Sequence, residues 1–329
     1  MIYKYRNYIV FLFGLTIVYY SYETRYLSRN IYVTTTYAKH LQEWEKVPFC
    51  PALNESDWEL LKELTTPYVM VQDWEREDLG IEDLGFVTYA SFDHLTEAIV
   101  SCNTIRAIPE LLNVSLTVYL SPDVTDDLKA IYKKICPHAK FILFPFEKYP
   151  EKVKDLNNYI FKPLYIAEAL KNHKNLIQTS VRENPLDVSL LRTAYHSNFL
   201  TTHPKMYDCF PNIKPSDMSR VVQYNAGLVL WIGSEAGWTS MHRWVECALQ
   251  PSCMAPLGST KSCTMKNISQ SRFSGCHRFD QAAINLILYE NSNSTTNLYQ
   301  RNTNYFKIIR RRNLFVKPKI KETTIKRKF

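Results

Sequence analysis

From residue 85 onward, apolar positions fall into short β-rich runs separated by stretches of helical spacing. Residues 86–90 form an apolar β-rich run, 94–105 are amphipathic, and 116–120 are β-rich again until Ser121-Pro122-Asp123 breaks the pattern. Residues 125–135 predict a helix with Leu128, Ile131, Tyr132 and Ile135 on one face, and 141–144 predict a third strand. Strands alternating with helices in this order are the signature of a parallel sheet, the opening half of a nucleotide-binding α/β fold. A further helix is predicted over 160–170, a short strand over 176–178, and a loop rich in Pro and polar residues over 201–217. The last segment holds a strand-like run over 221–231 with Asn225-Ala226-Gly227 embedded in it, then helices over 239–248 and 277–289. Turn-rich residues 291–296 close the domain.

Upstream the pattern differs. Residues 8–20 read YIVFLFGLTIVYY, uncharged and apolar, with Lys4 and Arg6 before them and Glu23, Arg25 and Arg29 after. Carried on to Tyr22, the run is slightly short of the ~20 residues that span a typical bilayer, a shortfall that thin membranes accommodate. Its exit through Tyr19, Tyr20, Ser21 and Tyr22 lacks the small residues of a signal cleavage site. With cations leading the run, it reads as an uncleaved signal anchor over 8–22, residues 1–7 cytosolic and the body lumenal. A buried core helix or a removed signal is the other reading of the same pattern. Residues 23–79 carry no clear repeat and read as a stem, in which Trp58, Leu60, Leu61 and Leu64 follow helical spacing and can pack on the main domain over 80–300.

A hydrophobic content of 46% and 22 tyrosines describe a packed domain rather than a disordered chain. The formal charge of +8 is concentrated at one end: residues 306–329 hold ten Lys or Arg against the single acid Glu322. The folded body is therefore near neutral and offers no broad phosphate-binding face, which argues against a nucleic-acid partner. The basic tail, residues 301–329, reads as a solvated extension or as a contact for an anionic lipid surface or glycan. Eight cysteines (Cys50, Cys102, Cys136, Cys209, Cys247, Cys253, Cys263 and Cys276) include no Cys-x-x-Cys zinc spacing, so they read as disulfides of an oxidising compartment. Glycosylation sequons at Asn54, Asn113, Asn267 and Asn293 agree with a lumenal body.

Several chemistries are excluded by what the chain lacks. There is no G-x-G-x-x-G, no P-loop, no Gly-x-Ser-x-Gly elbow and no His-Glu-x-x-His. What remains is a set of polar residues at the carboxyl ends of the predicted strands, where open α/β sheets bind ligands. Thr88, Ala90 and Ser91 follow the first strand, and their small side chains would let a nucleotide approach the backbone, although Thr and Ser are common at strand ends. Lys162 could reach a diphosphate as a point charge, or be a solvated lysine at a helix start. The strand ending at Gln178 continues through Thr179, Ser180, Val181, Arg182 and Glu183. At Asn225-Ala226-Gly227, the glycine permits close backbone approach and the asparagine offers a donor and an acceptor to a sugar hydroxyl. Asp280, beside Gln281 at a helix start, is as readily an N-terminal cap as a catalytic group when considered alone.

Taken in order, Phe161-Lys162-Pro163-Leu164, Thr179-Ser180-Val181-Arg182, Asn225-Ala226-Gly227, Cys247-Ala248-Leu249, Cys253, Pro256 and Cys276-His277-Arg278-Phe279-Asp280-Gln281 with Asn285 carry a resemblance. The chain resembles the nucleotide-diphospho-sugar transferase superfamily of GT-A fold and, more closely, an uncharacterised group of animal type II membrane glycosyltransferase-like proteins. The resemblance covers roughly residues 86–289, and the Cys-His-Arg-aromatic-Asp-Gln string is its most specific element. It implies a Rossmann-like, mostly parallel sheet with helices on both faces behind the anchor and stem. It also implies a Golgi membrane protein that moves a sugar from a nucleotide-diphosphate donor to a glycan or glycoprotein hydroxyl. On that reading Thr88, Ala90 and Ser91 hold the nucleotide, Lys162 and Arg182 the diphosphate, and Asn225, Ala226 and Gly227 the sugar. Gln178 and Ser180 line the donor site, and Asp280 binds sugar hydroxyls or assists displacement, helped by Gln281.

One departure stands out. Members of the group usually carry Asp at the position of Gln178, where related enzymes hold Mn²⁺ at Asp-x-Asp; a neutral amide is a poor ligand for a hard cation. Glu183, His277 and Asp280 are the remaining candidate ligands. Without the metal, charge developing on the diphosphate falls to Lys162, Arg182 and Arg278. The chain then reads as a metal-independent transferase, a weakly metal-dependent one, or a catalytically inactive lumenal binding partner of a transferase. A disulfide-held structural ectodomain, the reading from another class, leaves the ordered Lys162, Asn225 and Asp280 set without a role.

Overall fold

The computed structural model of the chain describes residues 50–68, 70–71, 84–171, 175–176, 185–191, 193–250, 252–263 and 272–301. The anchor at 8–22, the cytosolic segment, most of the stem, the basic tail from 302 on, and Gln178, Ser180, Arg182, Glu183 and Asn267 lie outside the described residues. Among the described residues no helix is long and apolar enough to cross a membrane.

The protein is a mixed α/β structure built on a three-stranded parallel sheet. Strands β1 (Gly85–Ala90), β2 (Ser115–Leu120) and β3 (Ala139–Leu143) lie in the order β1-β2-β3, with Phe86 opposite Leu116 and Leu116 opposite Ala139. The crossovers are α2 (Leu95–Arg106) and α3 (Asp126–Ile135), as the period change in the sequence predicts. Helix α3 opens on Asp126 and Asp127 and closes on Lys133 and Lys134, charges that suit the two ends of the helix dipole.

Side-chain alternation divides the sheet into two faces. Phe86 and Ala90 of β1 join Leu116, Val118 and Leu120 of β2 in a core with Leu95, Ala98, Cys102 and Ile105 of α2 and Tyr132 of α3. Val87, Tyr89 and Tyr119 fall in a second core with α4 (Phe161–Leu170). There the Tyr89 ring lies 4.5 Å from Phe161 and 5.7 Å from Tyr165, and Tyr119 lies 5.4 Å from Tyr165.

A second sheet continues beside β1. Its order is β4-β8-β5, with β4 (Asn175–Leu176) and β5 (Val188–Leu190) both antiparallel to the central β8 (Val229–Ile232). β4 lies next to β1, so the two sheets adjoin. A separate antiparallel pair joins β6 (Thr193–Ser197), irregular around the positive-φ residue Tyr195, to β7 (Val222–Tyr224), with the one-turn helix α5 (Pro215–Met218) just before β7. The single strand-like run expected over 221–231 is thus two strands in different sheets, and Asn225-Ala226-Gly227 belongs to the turn between them. Asn and Gly favour turns, and here they break an otherwise continuous apolar run.

Helices α6 (Glu235–Leu249) and α7 (Phe279–Asn291) complete the larger core, where Trp231 of β8 stacks on Trp244 of α6 at 5.7 Å. Ser234 caps α6 by accepting from the Gly237 amide and donates to the Asp187 carboxylate. Helix α1 (Glu55–Thr65), inside the stretch read as a stem, docks on α6 and α4 through the fully buried Leu61 and Leu64, while Trp58 is 41% exposed. Asn54 starts α1, its side chain accepting from the Asp57 amide at 2.8 Å.

All eight cysteines pair: Cys50–Cys209, Cys102–Cys136, Cys247–Cys253 and Cys263–Cys276. The first ties the α1 segment to the domain, the second locks α2 to the end of α3, and the last two bracket the loop between α6 and α7.

Candidate functional site

The starts of α4 and α7 meet. Lys162, second residue of α4, points its Nζ to 2.5 Å from Oδ2 of Asp280, second residue of α7, and the two side chains are only 11% and 8% exposed. Asp280 sits well in the first turn of a helix, whereas a lysine in a first turn faces the positive end of the dipole. Lys162 is therefore placed by its partner and not by helix preference. The ring of Tyr159 lies beside the pair, with Lys162 Nζ 5.8 Å and Lys261 Nζ 5.5 Å from its centroid. Tyr159 has the left-handed backbone φ of 57°, a conformation rare for a bulky residue. Burial raises its hydroxyl pKa and nearby Asp280 adds to the shift, while Arg278 opposes it.

Next along α7, Gln281 Nε2 donates to Gln223 Oε1 at 2.7 Å, and Thr201 Oγ1 donates to the same oxygen at 2.9 Å. Gln223 is the central residue of β7 and fully buried. One turn further, Asn285 treats the strand as a neighbouring strand would: its Oδ1 accepts from the Tyr224 amide at 2.9 Å and its Nδ2 donates to the Tyr224 carbonyl at 2.8 Å. That grip fixes the residue before Asn225. Asn225 itself is half-buried and donates to the Thr193 carbonyl at 3.1 Å, which leaves its Oδ1 for another donor. Ala226 is buried, and a Cβ on Gly227 would meet no atom within 4 Å.

The structure thus brings Lys162, Asp280, Gln281 and the Asn225 turn into one connected group. Other expected residues stand apart from it. Thr88 and Ala90 alternate with Tyr89 and so face α2 and α3, not α4; Thr88 is 1% exposed and Ala90 0%, so neither side chain is open to solvent. Ser91, just past β1, is buried, with its Oγ 3.0 Å from His94 Nδ1.

His277 also departs from expectation. Its Nδ1 accepts from the His203 amide at 3.0 Å and its Nε2 lies 3.0 Å from the Met254 carbonyl, to which it donates. Burial pushes its pKa down to about 3, so the ring is neutral with both nitrogens committed to the backbone. It therefore has no lone pair for a cation. With Asp280 held by Lys162, the two described members of the expected Mn²⁺ ligand set do not fit that ion. Among the described residues no group of three or more His, Cys, Asp or Glu is placed to hold a metal. Of the sequons, Asn54, Asn113 and Asn293 are exposed.

Gln223, Thr201 and Lys261 went unread in the sequence. For Gln223 a signal existed, a polar side chain inside an apolar run two residues before Asn225. No protein-family model matches the chain, and no curated protein is significantly similar to it.

Proposed function

We propose that the protein is a glycosyltransferase-like enzyme of GT-A type, held in the Golgi membrane by the N-terminal anchor with its body in the lumen. It would move a sugar from a nucleotide diphosphate to a hydroxyl of a glycan or glycoprotein. The observation that carries this reading is the convergence of four distant segments, at Tyr159–Lys162, Thr201–His203, Gln223–Gly227 and His277–Asn285, into one polar group through side-chain contacts. A packed core does not need this arrangement, and a buried ion pair is weak support for stability. Gly227 strengthens the case, because neither a positive φ nor internal packing demands a glycine there, while a ligand approaching the backbone would.

In this reading the bond from the sugar C1 to the diphosphate oxygen breaks, the acceptor oxygen bonds to C1, and the acceptor proton leaves to a base. Lys162 holds one oxygen of Asp280, which orients the carboxylate toward a sugar hydroxyl. Asn225 Oδ1 reads another hydroxyl, and Gln281 is held in place by Gln223. Neutral Gln178 and the pairing of Lys162 with Asp280 favour a second reading, an inactive lumenal protein that binds the same ligands in partnership with a transferase.

Thermal unfolding of the detergent-solubilised full chain against uridine, guanosine and cytidine diphosphates, with and without Mn²⁺, tests the site. A ligand at a hundredfold over its Kd should stabilise by about 2.7 kcal/mol, or about 5–10 °C for a domain of this size. No shift with any nucleotide would sink the donor reading. Binding without donor hydrolysis or transfer would select the inactive partner.

A further inference from the structure

The buried Lys162 is a poor first contact for an anionic ligand, because its charge is spent on Asp280. Two other cations stand at the same place and are exposed, Lys261 and Arg278. The Cys263–Cys276 bridge brings them together, since Lys261 lies two residues before Cys263 and Arg278 two residues after Cys276. A hydrogen bond from the His277 amide to the Thr260 carbonyl, 2.7 Å, fastens the two chain segments again one residue away from each cation. Lys261 is steered further by its bond to Asn157 Oδ1 at 2.7 Å and by the Tyr159 ring.

The acids of this face are engaged elsewhere. Asp155 accepts from the backbone and side-chain amides of Asn157, and Asp280 holds Lys162. Among the described residues neither Lys261 nor Arg278 has a carboxylate within ion-pair distance, whereas Lys62, Lys129, Lys154 and Arg243 each have one on their own helical turn. A disulfide and a backbone hydrogen bond join the two segments, and both cations act on Tyr159, beside the Lys162–Asp280 pair. Their repulsion serves the fold nothing, and an anion relieves it.

We propose that Lys261 and Arg278 form an anion-recognition site, clamping a phosphate or carboxylate group at the edge of Tyr159 and assembled by the Cys263–Cys276 bridge. The shared chemistry has two sources, the diphosphate of a donor nucleotide or the carboxylate of an acidic sugar in the acceptor. Only the naming of these sources rests on the proposed transferase activity. The anion site stands on its own geometry.

Calorimetric titration of the full chain in detergent with inorganic pyrophosphate, uridine diphosphate, guanosine diphosphate and glucuronate separates the cases. Lys261→Ala and Arg278→Ala should each weaken the bound anion tenfold or more, with Lys129→Ala on the far surface of α3 leaving it unchanged. Reduction of the disulfides should weaken it comparably in protein that stays folded by circular dichroism. Loss confined to pyrophosphate and the nucleotides assigns the donor end, and loss confined to glucuronate assigns an acidic acceptor. Nucleotide binding that survives both substitutions overturns the anion site while leaving the donor reading intact. No binding of any probe by the unmodified chain overturns it outright.

Discussion

Lys162 and Asp280, separated by 118 residues of chain, close the contact between α4 and α7 with a buried ion pair of 2.5 Å. Each charge offsets the desolvation of the other, and removing one leaves the second buried without this partner. Lys162→Met or Asp280→Asn alone should cost about 3–5 kcal/mol in chemical denaturation. The double variant Lys162→Met/Asp280→Leu should cost much less than the two together. Additive losses would show that the two side chains do not meet.

The Cys50–Cys209 bridge makes a different kind of demand. It spans 159 residues and joins the segment before α1 to the body, so its main effect is on the unfolded chain. On the chain-entropy account, a loop this long contributes about 4–5 kcal/mol. Cys50→Ser/Cys209→Ser should lower the melting temperature by more than ten degrees and expose the start of α1 to limited proteolysis. Unchanged cleavage near residue 55 would mean that Leu61 and Leu64 hold α1 without help.

How much of this could be read from residues follows the range of the interaction involved. The β1-α2-β2-α3-β3 unit was legible because each element carries its own period and Ser121-Pro122-Asp123 marks a boundary. β5 and β6 were not, since three residues of Val188–Leu190 give no alternation to count, and Asp187 before β5 and Tyr195 within β6 take positive φ without a glycine to announce it. The same limit governs the site. Lys162, Asp280 and Asn225 stood out by type and position, but that Lys162 would spend its charge on Asp280 is a fact of tertiary packing. Thr88 and Ala90 show the same limit: alternation along β1 places them on the face opposite Tyr89, but only tertiary packing says which face meets α4.

His277 predicts a pH response. Its pKa lies near 3 in the folded state and near 6.5 when exposed, so between those values the unfolded chain binds more protons. Its contribution to stability is intact above pH 6.5 and is lost as pH falls toward 3, at up to about 1.4 kcal/mol per pH unit. Burial lowers the pKa of His203 and His196 in the same direction. Denaturation midpoints measured from pH 7 to pH 4 should fall steadily, and His277→Gln should flatten the slope even if it lowers the starting stability. An unchanged slope would mean that His277 is charged in the fold, against the hydrogen bond its Nδ1 accepts from the His203 amide.

Two glycines ten residues apart give the most discriminating test of the candidate site. A Cβ on Gly237 would overlap the Ile232 carbonyl oxygen, where α6 leaves the end of β8, so Gly237→Ala must shift backbone against backbone. That substitution should destabilise by about 3 kcal/mol or more, with ligand affinity following stability. A Cβ on Gly227 meets nothing within 4 Å, and the residue has no positive φ to protect, so Gly227→Ala should leave the melting temperature within a degree or slightly raise it. If a sugar or nucleotide passes over the Asn225 turn, the same silent methyl should reduce its affinity tenfold or more. Equal binding by Gly227→Ala and the unmodified protein would place the ligand elsewhere, and it would remove the turn from the site while leaving the Lys162–Asp280 contact untouched.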